Sequence, residues 1–413
     1  MPTASSPVRA RAVDSPYSWF RLVICMVLGS IGSVGMWSVV IILPTIQSEF
    51  GVDRGTASIP YTLTMVGFAI GNMVAGRFVD RFGIMRPLIM AGISLGVGFI
   101  WASSVAELWQ FALIQGFYIG LGTAVTFGPL IANISHWFQR RRGLAVAATA
   151  AGNYAGGLIW PIGLNWLVEE YSWRTTYLFI GIFCLMTMVP LALLLRQNLP
   201  RRDSAAELND ARKPIPKRRI DFTPRQLQIL LAIAGVGCCM AMSMPQVHIV
   251  AYSADLGFGV KRGAEMLSLM FAGGIFSRLA SGFLADYVGG VRTLLLGSVL
   301  QCLALLFYLP FDGVTALYIV SFGFGLSQGG IVPSYAIIVR EYLPAHEAGE
   351  RVGLVIMATL VGMSVGGWMS GWIYDITGSY RMAFINGVAW NLLNISIIAF
   401  LLLRTRKSGS VHA

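Results

Sequence analysis

The chain has 413 residues, of which 56% are apolar and only 12% charged, with a mean hydropathy of +0.69 and a formal net charge of +11. A soluble domain carries about 25% charged residues, so water-soluble and disordered classes are excluded. The positive balance suggests nucleic acid only until the charges are placed on the chain.

Taken in chain order, the first 18 residues are polar and form an N-terminal tail. They lack an A-x-A-like cleavage pattern, so the apolar segment that follows is expected to be retained. Apolar runs near 20 residues, long enough to cross a hydrocarbon core of about 30 Å, then recur to the end. Twelve are predicted, at 19–44, 57–79, 87–106, 109–136, 143–168, 174–195, 226–252, 263–285, 292–310, 314–339, 351–374 and 382–403. In lipid the backbone must satisfy its own hydrogen bonds, so these are expected to be helices. The fold class is an all-α membrane protein. The five cysteines, Cys25, Cys184, Cys238, Cys239 and Cys302, all fall in apolar runs and make neither a disulfide framework nor a metal site.

The longest polar interruption, Arg196 to Gln226, is rich in charge and proline and divides six spans from six. The domains are therefore a 19–196 bundle, a 197–225 linker, a 226–404 bundle and a 405–413 tail. With linker and both termini on one side, only Arg54, Arg174, Lys261, Arg262 and Arg381 fall on the other, and Arg278 lies within a helix. The remaining 24 of the 30 Lys and Arg share the linker side. This asymmetry predicts cytoplasmic termini. The charge then reports orientation and contact with anionic lipid, and nucleic acid is not an expected partner.

The halves repeat. "GRFVDRFGIMR" ends the second span, and "GFLADYVGGVR" ends the eighth; adding 206 to Gly76, Asp80, Gly83 and Arg86 gives Gly282, Asp286, Gly289 and Arg292. "SWRTTY" at 172–177 is echoed by "SYRMAF" at 379–384. The repeated string resembles the G-x-x-x-D-x-x-G-x-x-R signature of the major facilitator superfamily, whose six-helix halves are related by an axis along the membrane normal. The resemblance implies two pseudo-symmetric bundles and a gating role for Asp80, Arg81, Arg86, Asp286 and Arg292. The same charges also read as ordinary surface ion pairs. Gly76 is expected to let two helices approach closely.

Three further stretches resemble the monocarboxylate transporters within that superfamily. They are "HWFQRRRGLAVAATAAGNYAGG" (136–157), "VHIVAYSADLGFGVKRGA" (247–264), which is like the seventh-helix ending of bacterial members, and "FSRLASGFLAD" (276–286), like the eighth helix that carries the family's substrate arginine. The resemblance covers essentially the whole chain and implies a small organic anion as substrate, moved with a proton or against a counter-anion. It also implies a bacterial inner membrane location and a functional monomer. Two departures stand out. Gly274 occupies the position where animal members carry an aspartate, and the first span lacks their lysine. The eleventh span also lacks the lysine of the oxalate–formate exchangers.

Arg278 is informative from physics alone. It precedes Asp286 by eight residues, about 12 Å along a helix, so it lies within the bilayer, where a charge is costly and faces a cavity or partner. None of the 19 Asp and Glu is predicted at mid-depth. An unpaired guanidinium suits a carboxylate held by two parallel hydrogen bonds; packing against backbone carbonyls is the alternative. His248 is a candidate for proton coupling or substrate contact, or is a buried structural histidine. His136, His346 and His412 have no assigned role. Trp37, Asn72, Gln115, Tyr118, Asn153, Tyr154, Gln328 and Tyr335 lie on spans that line the cavity in the superfamily, with Gln115, Tyr118 and Asn72 preferred as substrate contacts. Asn72 is the first-half counterpart of Arg278. Small residues followed by Pro129 and Pro333 mark bends in spans four and ten.

No catalytic motif or nucleotide fingerprint appears in context, so no enzyme, cofactor, metal or ATP-driven pump is expected. The readings left open are a monocarboxylate carrier, an oxalate–formate type exchanger, an exporter of hydrophobic compounds and a non-transporting membrane sensor.

Overall fold

The computed structural model describes residues 13–197, 219–220, 222–343 and 348–406. Much of the predicted tails and most of the 197–225 linker lie outside the described residues. Twelve long helices follow one another: α1 (Pro16–Ile41), α2 (Arg54–Val79), α3 (Met85–Ala102), α4 (Leu108–Ile134), α5 (Arg142–Glu170), α6 (Trp173–Leu193), α7 (Pro224–Asp255), α8 (Gly259–Val288), α9 (Gly290–Phe307), α10 (Val314–Tyr342), α11 (Glu350–Thr377) and α12 (Tyr380–Arg404). Eleven are long and apolar enough to cross a membrane; α5, at 29 residues, is long enough but less apolar, because glycine, Asn153 and Tyr154 interrupt its aliphatic residues. One short antiparallel pairing sets Arg219–Ile220 against Thr405–Arg406, joining the linker's end to the chain end.

Helix ends carry their own signals. Ser15, Ser172 and Ser379 cap α1, α6 and α12, and Thr223 with Gln226 forms a capping box before α7. The repeated string earns its second glycine here. Gly83 and Gly289 have φ of 75° and 88°, a region that favours glycine, and each turns the chain into the next helix. Its first glycine behaves otherwise than expected. A Cβ at Gly76 or Gly282 meets nothing within 4 Å, so in this arrangement neither is a close-packing point.

The bends in spans four and ten are real interruptions. α4 contains a π-turn at Gln115–Gly120 and breaks at Thr126–Phe127 before Gly128–Ile134; α10 breaks at Gly329–Gly330 before Ile331–Tyr342. Both breaks serve close approach. α8 lies so near the break in α10 that a Cβ on Gly329 would sit 2.3 Å from the Gly274 carbonyl oxygen and 2.8 Å from the Arg278 nitrogen. Both are backbone atoms and cannot move aside. Gly329→Ala is therefore expected to destabilise the protein by about 1–3 kcal/mol, read as a lower Tm in detergent; an unchanged Tm contradicts this packing.

The halves meet through α5 along α8, α2 along α11, and the end of α1 against α7. We call the end that carries the linker the linker face and the opposite end the far face. Cross-half hydrogen bonds gather toward the far face. Thr62 Oγ1 donates to the Ser364 carbonyl at 3.1 Å, Ser364 Oγ returns a bond to the Thr62 carbonyl at 3.2 Å, and Arg54 is bonded to Asp255 and Asp375. The molecule is closed there.

Candidate substrate-binding site

Arg278 sits two-thirds along α8, half-buried, with its guanidinium carbon 5.0 Å from the centre of the Tyr154 ring of α5, across the boundary between the halves. Such a cation–π contact holds the charge without neutralising it. Among the described residues, no Asp or Glu pairs with Arg278.

Tyr154 is there because Gly274 is. A Cβ at position 274 would lie 2.4 Å from Tyr154 Cε1 and 2.7 Å from Cδ1. The ring thus occupies the space into which an aspartate at this position would project. The departure noted in the sequence is filled by a tyrosine from the other half. Phe271, one turn earlier on α8, packs edge-on to Tyr154 at 5.7 Å and lies 4.3 Å from the Trp37 ring of α1; a Cβ on Gly157 of α5 would strike Phe271 at 2.5 Å. Three elements converge on this aromatic cluster.

Polar atoms around it lack protein partners. Trp37 Nε1, Asn153 Nδ2 and Gln246 Oε1 are buried and accept or donate no hydrogen bond. Buried polar atoms are ordinarily paired, so these are free to meet a ligand or water. Gln246 Nε2 donates to Gln328 Oε1 at 2.5 Å, and Gln328 Nε2 to the Met270 carbonyl at 3.4 Å, tying α7, α10 and α8 together beside Gly274.

The three preferred contacts are placed elsewhere. Gln115 is wholly buried, donates to Tyr177 of α6 at 2.8 Å and accepts from Thr64 of α2 at 3.4 Å. Tyr118 lies edge-on to Trp101 of α3 at 5.5 Å, beside a tryptophan that is half exposed. Both helices α3 and α6 pack within the first half. For Tyr118 the π-turn is a physical reason, since it rotates the side chains within it away from the face expected of a regular α-helix, whereas Gln115, at its start, is held by Tyr177 and Thr64. Asn72 donates to the Phe68 carbonyl at 2.9 Å, and its Oδ1 lies where a Cβ on Gly128 would be, so it seats the break in α4. Tyr335 donates to Asn394 in a buried network with Ser298 and Asn391 inside the second half.

His248 is wholly buried with both ring nitrogens engaged: Nε2 lies 2.7 Å from the Gly367 carbonyl and Nδ1 lies 3.1 Å from the Tyr380 hydroxyl. Sequence reasoning missed its neighbour Arg54, which appears there only as a charge on the far side. Arg54 is 5% exposed and holds Asp255 through two bonds of 3.1 Å. Just before it, Thr56 donates to the Asp53 carboxylate, and hydrogen bonds from Thr56 hold that carboxyl below its usual range.

The charges expected to act in gating lie on the linker face. Arg81 and Arg86 stand over the Phe82 ring at 5.3 and 5.8 Å, Asp286 and Arg292 are exposed, and the Asp80 side chain lies outside the described residues. At the start of α9, Glu341 accepts from the Gly290 N–H at 3.2 Å.

Comparison with known proteins agrees with this architecture. The family model of the Major Facilitator Superfamily matches residues 25–290 and 229–412. The chain is 26% identical over 397 residues to Monocarboxylate transporter 13 of Bos taurus, covering 94% of this chain and 90% of that one. It is 25% identical over 393 residues to Monocarboxylate transporter 4 of Rattus norvegicus, covering 92% and 82%. Its structure is similar to that of a bacterial homolog to the human lysosomal transporter Spinster in an inward-facing and occupied conformation, with a TM-score of 0.72 at 12% sequence identity, over 95% of this chain and 97% of that one. Twelve helices in two repeated halves, the doubled signature and a family match across nearly the whole length agree: this chain is a multi-pass membrane protein belonging to the Major Facilitator Superfamily.

Proposed function

We propose that the protein is a secondary transporter of small monocarboxylates, such as lactate or pyruvate, that works by alternating access with proton symport. One observation carries this reading: the Arg278 guanidinium lies within a membrane helix, at the boundary between the halves, with an aromatic face beneath it and no carboxylate partner among the described residues. A carboxylate entering between the halves accepts two parallel hydrogen bonds from it. The relatives named as monocarboxylate transporters support the same substrate class. The Lys and Arg distribution supports cytoplasmic termini, which makes the far face extracytoplasmic, and the resemblance of 247–264 to bacterial members supports a bacterial inner membrane. In this reading Asp80, Arg81, Arg86, Asp286 and Arg292 take part in opening and closing the linker face, and one chain suffices for function.

The test is uptake of radiolabelled lactate, pyruvate and oxalate into proteoliposomes, with and without an imposed pH gradient. Symport predicts accumulation driven by an acidic exterior, and alkalinisation of that exterior on substrate entry. Uptake that requires an internal counter-anion would show exchange of the oxalate–formate type. Binding without flux would show a sensor, and flux of neutral hydrophobic compounds alone would overturn the anion reading.

The unpartnered donors supply a finer test. Trp37→Phe keeps a ring against Phe271 and removes the free indole N–H together with part of the buried bicycle, so a lower Tm from the cavity is expected as well. If that N–H meets an oxygen of the substrate, KM rises by about fivefold to tenfold, the value of one net hydrogen bond. An unchanged KM removes Trp37 from the site.

A further inference from the structure

The far face holds a chain of hydrogen bonds that crosses from one half to the other. Arg54, from the first half, gives its Nε–H to Gln47 at 2.5 Å, its two terminal nitrogens to the Asp255 carboxylate, and a further Nη1–H to the Tyr380 hydroxyl at 2.6 Å. Asp375 accepts the backbone N–H groups of Arg54 and Gly55 at 2.8 and 2.6 Å. Asp255, Asp375 and Tyr380 all belong to the second half, so this latch exists only while the far face is closed.

Hydrogen-bond accounting defines the protonation of His248 behind it. The Gly367 carbonyl oxygen can only accept, so Nε2 carries a hydrogen. With a hydrogen on Nε2, an Nδ1–H would make His248 a cation set against the same Tyr380 oxygen that accepts from the Arg54 cation at 2.6 Å, so the Tyr380 hydrogen is assigned to Nδ1 and that nitrogen is left bare. His248 is neutral in the latched state, and donation runs from Arg54 through Tyr380 and His248 to the backbone of α11. The charged and titratable groups around it are Tyr252 and Asp255 on its own helix, Arg54 and Tyr61 from α2, Tyr374 and Asp375 from α11, and Tyr380 from α12.

We propose that Arg54 and a proton on His248 are mutually exclusive occupants of this latch, so that closing the far face expels the coupling proton. When the halves part, Arg54 leaves with the first half, while Tyr380, Asp255 and His248 stay together on the second. The Tyr380 oxygen can then accept from an Nδ1–H without facing a second cation. On closure the proton leaves Nδ1 for a water molecule between the halves. No covalent bond other than N–H is made or broken. Arg54 is here a positioning residue, and His248 the proton site. The inference rests on the reading of the protein as a proton-coupled carrier, but its structural half can be tested without substrate.

Ser48 and Thr377 are exposed at the far face on opposite halves, and the five native cysteines are buried, so spin labels at Ser48→Cys and Thr377→Cys report the opening of that face in the full chain in lipid nanodiscs. Lowering the pH from about 8 to about 5.5, across the histidine range, is expected to raise the population with long label separation by about tenfold, within the limit of a tenfold shift per pH unit for one proton. His248→Gln keeps a donor and an acceptor in a neutral side chain and is expected to stay short at both pH values. Arg54→Gln is expected to be long at both. Tyr380→Phe, which keeps the ring and cuts the relay, is expected to flatten the pH response even if His248→Gln fails to fold. In proteoliposomes His248→Gln should retain lactate counterflow but no longer alkalinise the outside medium. A parent protein whose label separation ignores pH, or a His248→Gln variant that keeps the parent's pH response or proton uptake, overturns the inference. Failure of the parent to move any carboxylate instead overturns the substrate reading and leaves the label measurement as the test of the latch.

Discussion

Arg278→Lys is expected to lower carboxylate uptake by about 10-fold to 100-fold, and Arg278→Ala to abolish it. A charge-assisted hydrogen bond is worth about 1.5–3 kcal/mol, and each 1.4 kcal/mol is a factor of ten. Lysine retains the charge but not the planar fork that matches a carboxylate, so the deficit should appear mainly in KM. Stability should change little, within about 1 kcal/mol, because the guanidinium has no protein carboxylate to lose among the described residues. Uptake in proteoliposomes, paired with thermal unfolding, checks both halves of the statement. A lysine variant that transports every tested carboxylate at the parent rate would remove Arg278 from the site. A large fall in Tm would instead mark it as a packing residue.

Gly274→Asp is expected to have the second-largest effect. Its Cβ would overlap the Tyr154 ring at 2.4 Å, and overpacking of this kind costs about 1–3 kcal/mol. The new carboxylate also stands one helical turn before Arg278, where opposite charges attract. Uptake should fall by at least about tenfold near pH 7.5, by the same tenfold-per-1.4 kcal/mol conversion. It should partly recover as the pH drops, because the protonated aspartic acid no longer competes for the guanidinium. Removing the obstruction with Tyr154→Ala in the same chain should restore stability more than the single effects sum to, a coupling that a double-mutant cycle measures. Additive effects would show that the ring and position 274 do not share space.

Much of the fold was legible because lipid makes the signal strong. Apolar runs must be helices, and all twelve predicted spans coincide with long helices in the structure. The 206-residue repeat located the paired turns at Gly83 and Gly289, and the proline-marked bends near Pro129 and Pro333 coincide with interruptions in α4 and α10. Arg278 stood out because it was the one charge far from any span end. The residues preferred around it did not follow. Depth along a helix can be read from sequence spacing, but rotation about the helix axis cannot when nearly every side chain is apolar. The π-turn in α4 then displaced Tyr118 from the expected face, and Gln115 at its start is taken up by Tyr177 and Thr64. Asn72 stayed in phase but was taken up by the break it supports.

The far-face latch was hidden for a different reason. Arg54 reaches Asp255 across 201 positions in the chain and Tyr380 across 326, and nothing local to any of the three marks the pairing. By itself the sequence determined a membrane-embedded chain in two repeated halves with one cation at depth, since burial of backbone and charge in hydrocarbon carries a cost that composition and spacing must reflect. Only the tertiary structure decided that Tyr154 covers Arg278 in the room left by Gly274, and that Arg54, Tyr380 and His248 form one relay. Those relations depend on how rigid helices rotate and meet across the two halves, and in a chain without an amphipathic period that rotation is set by packing alone.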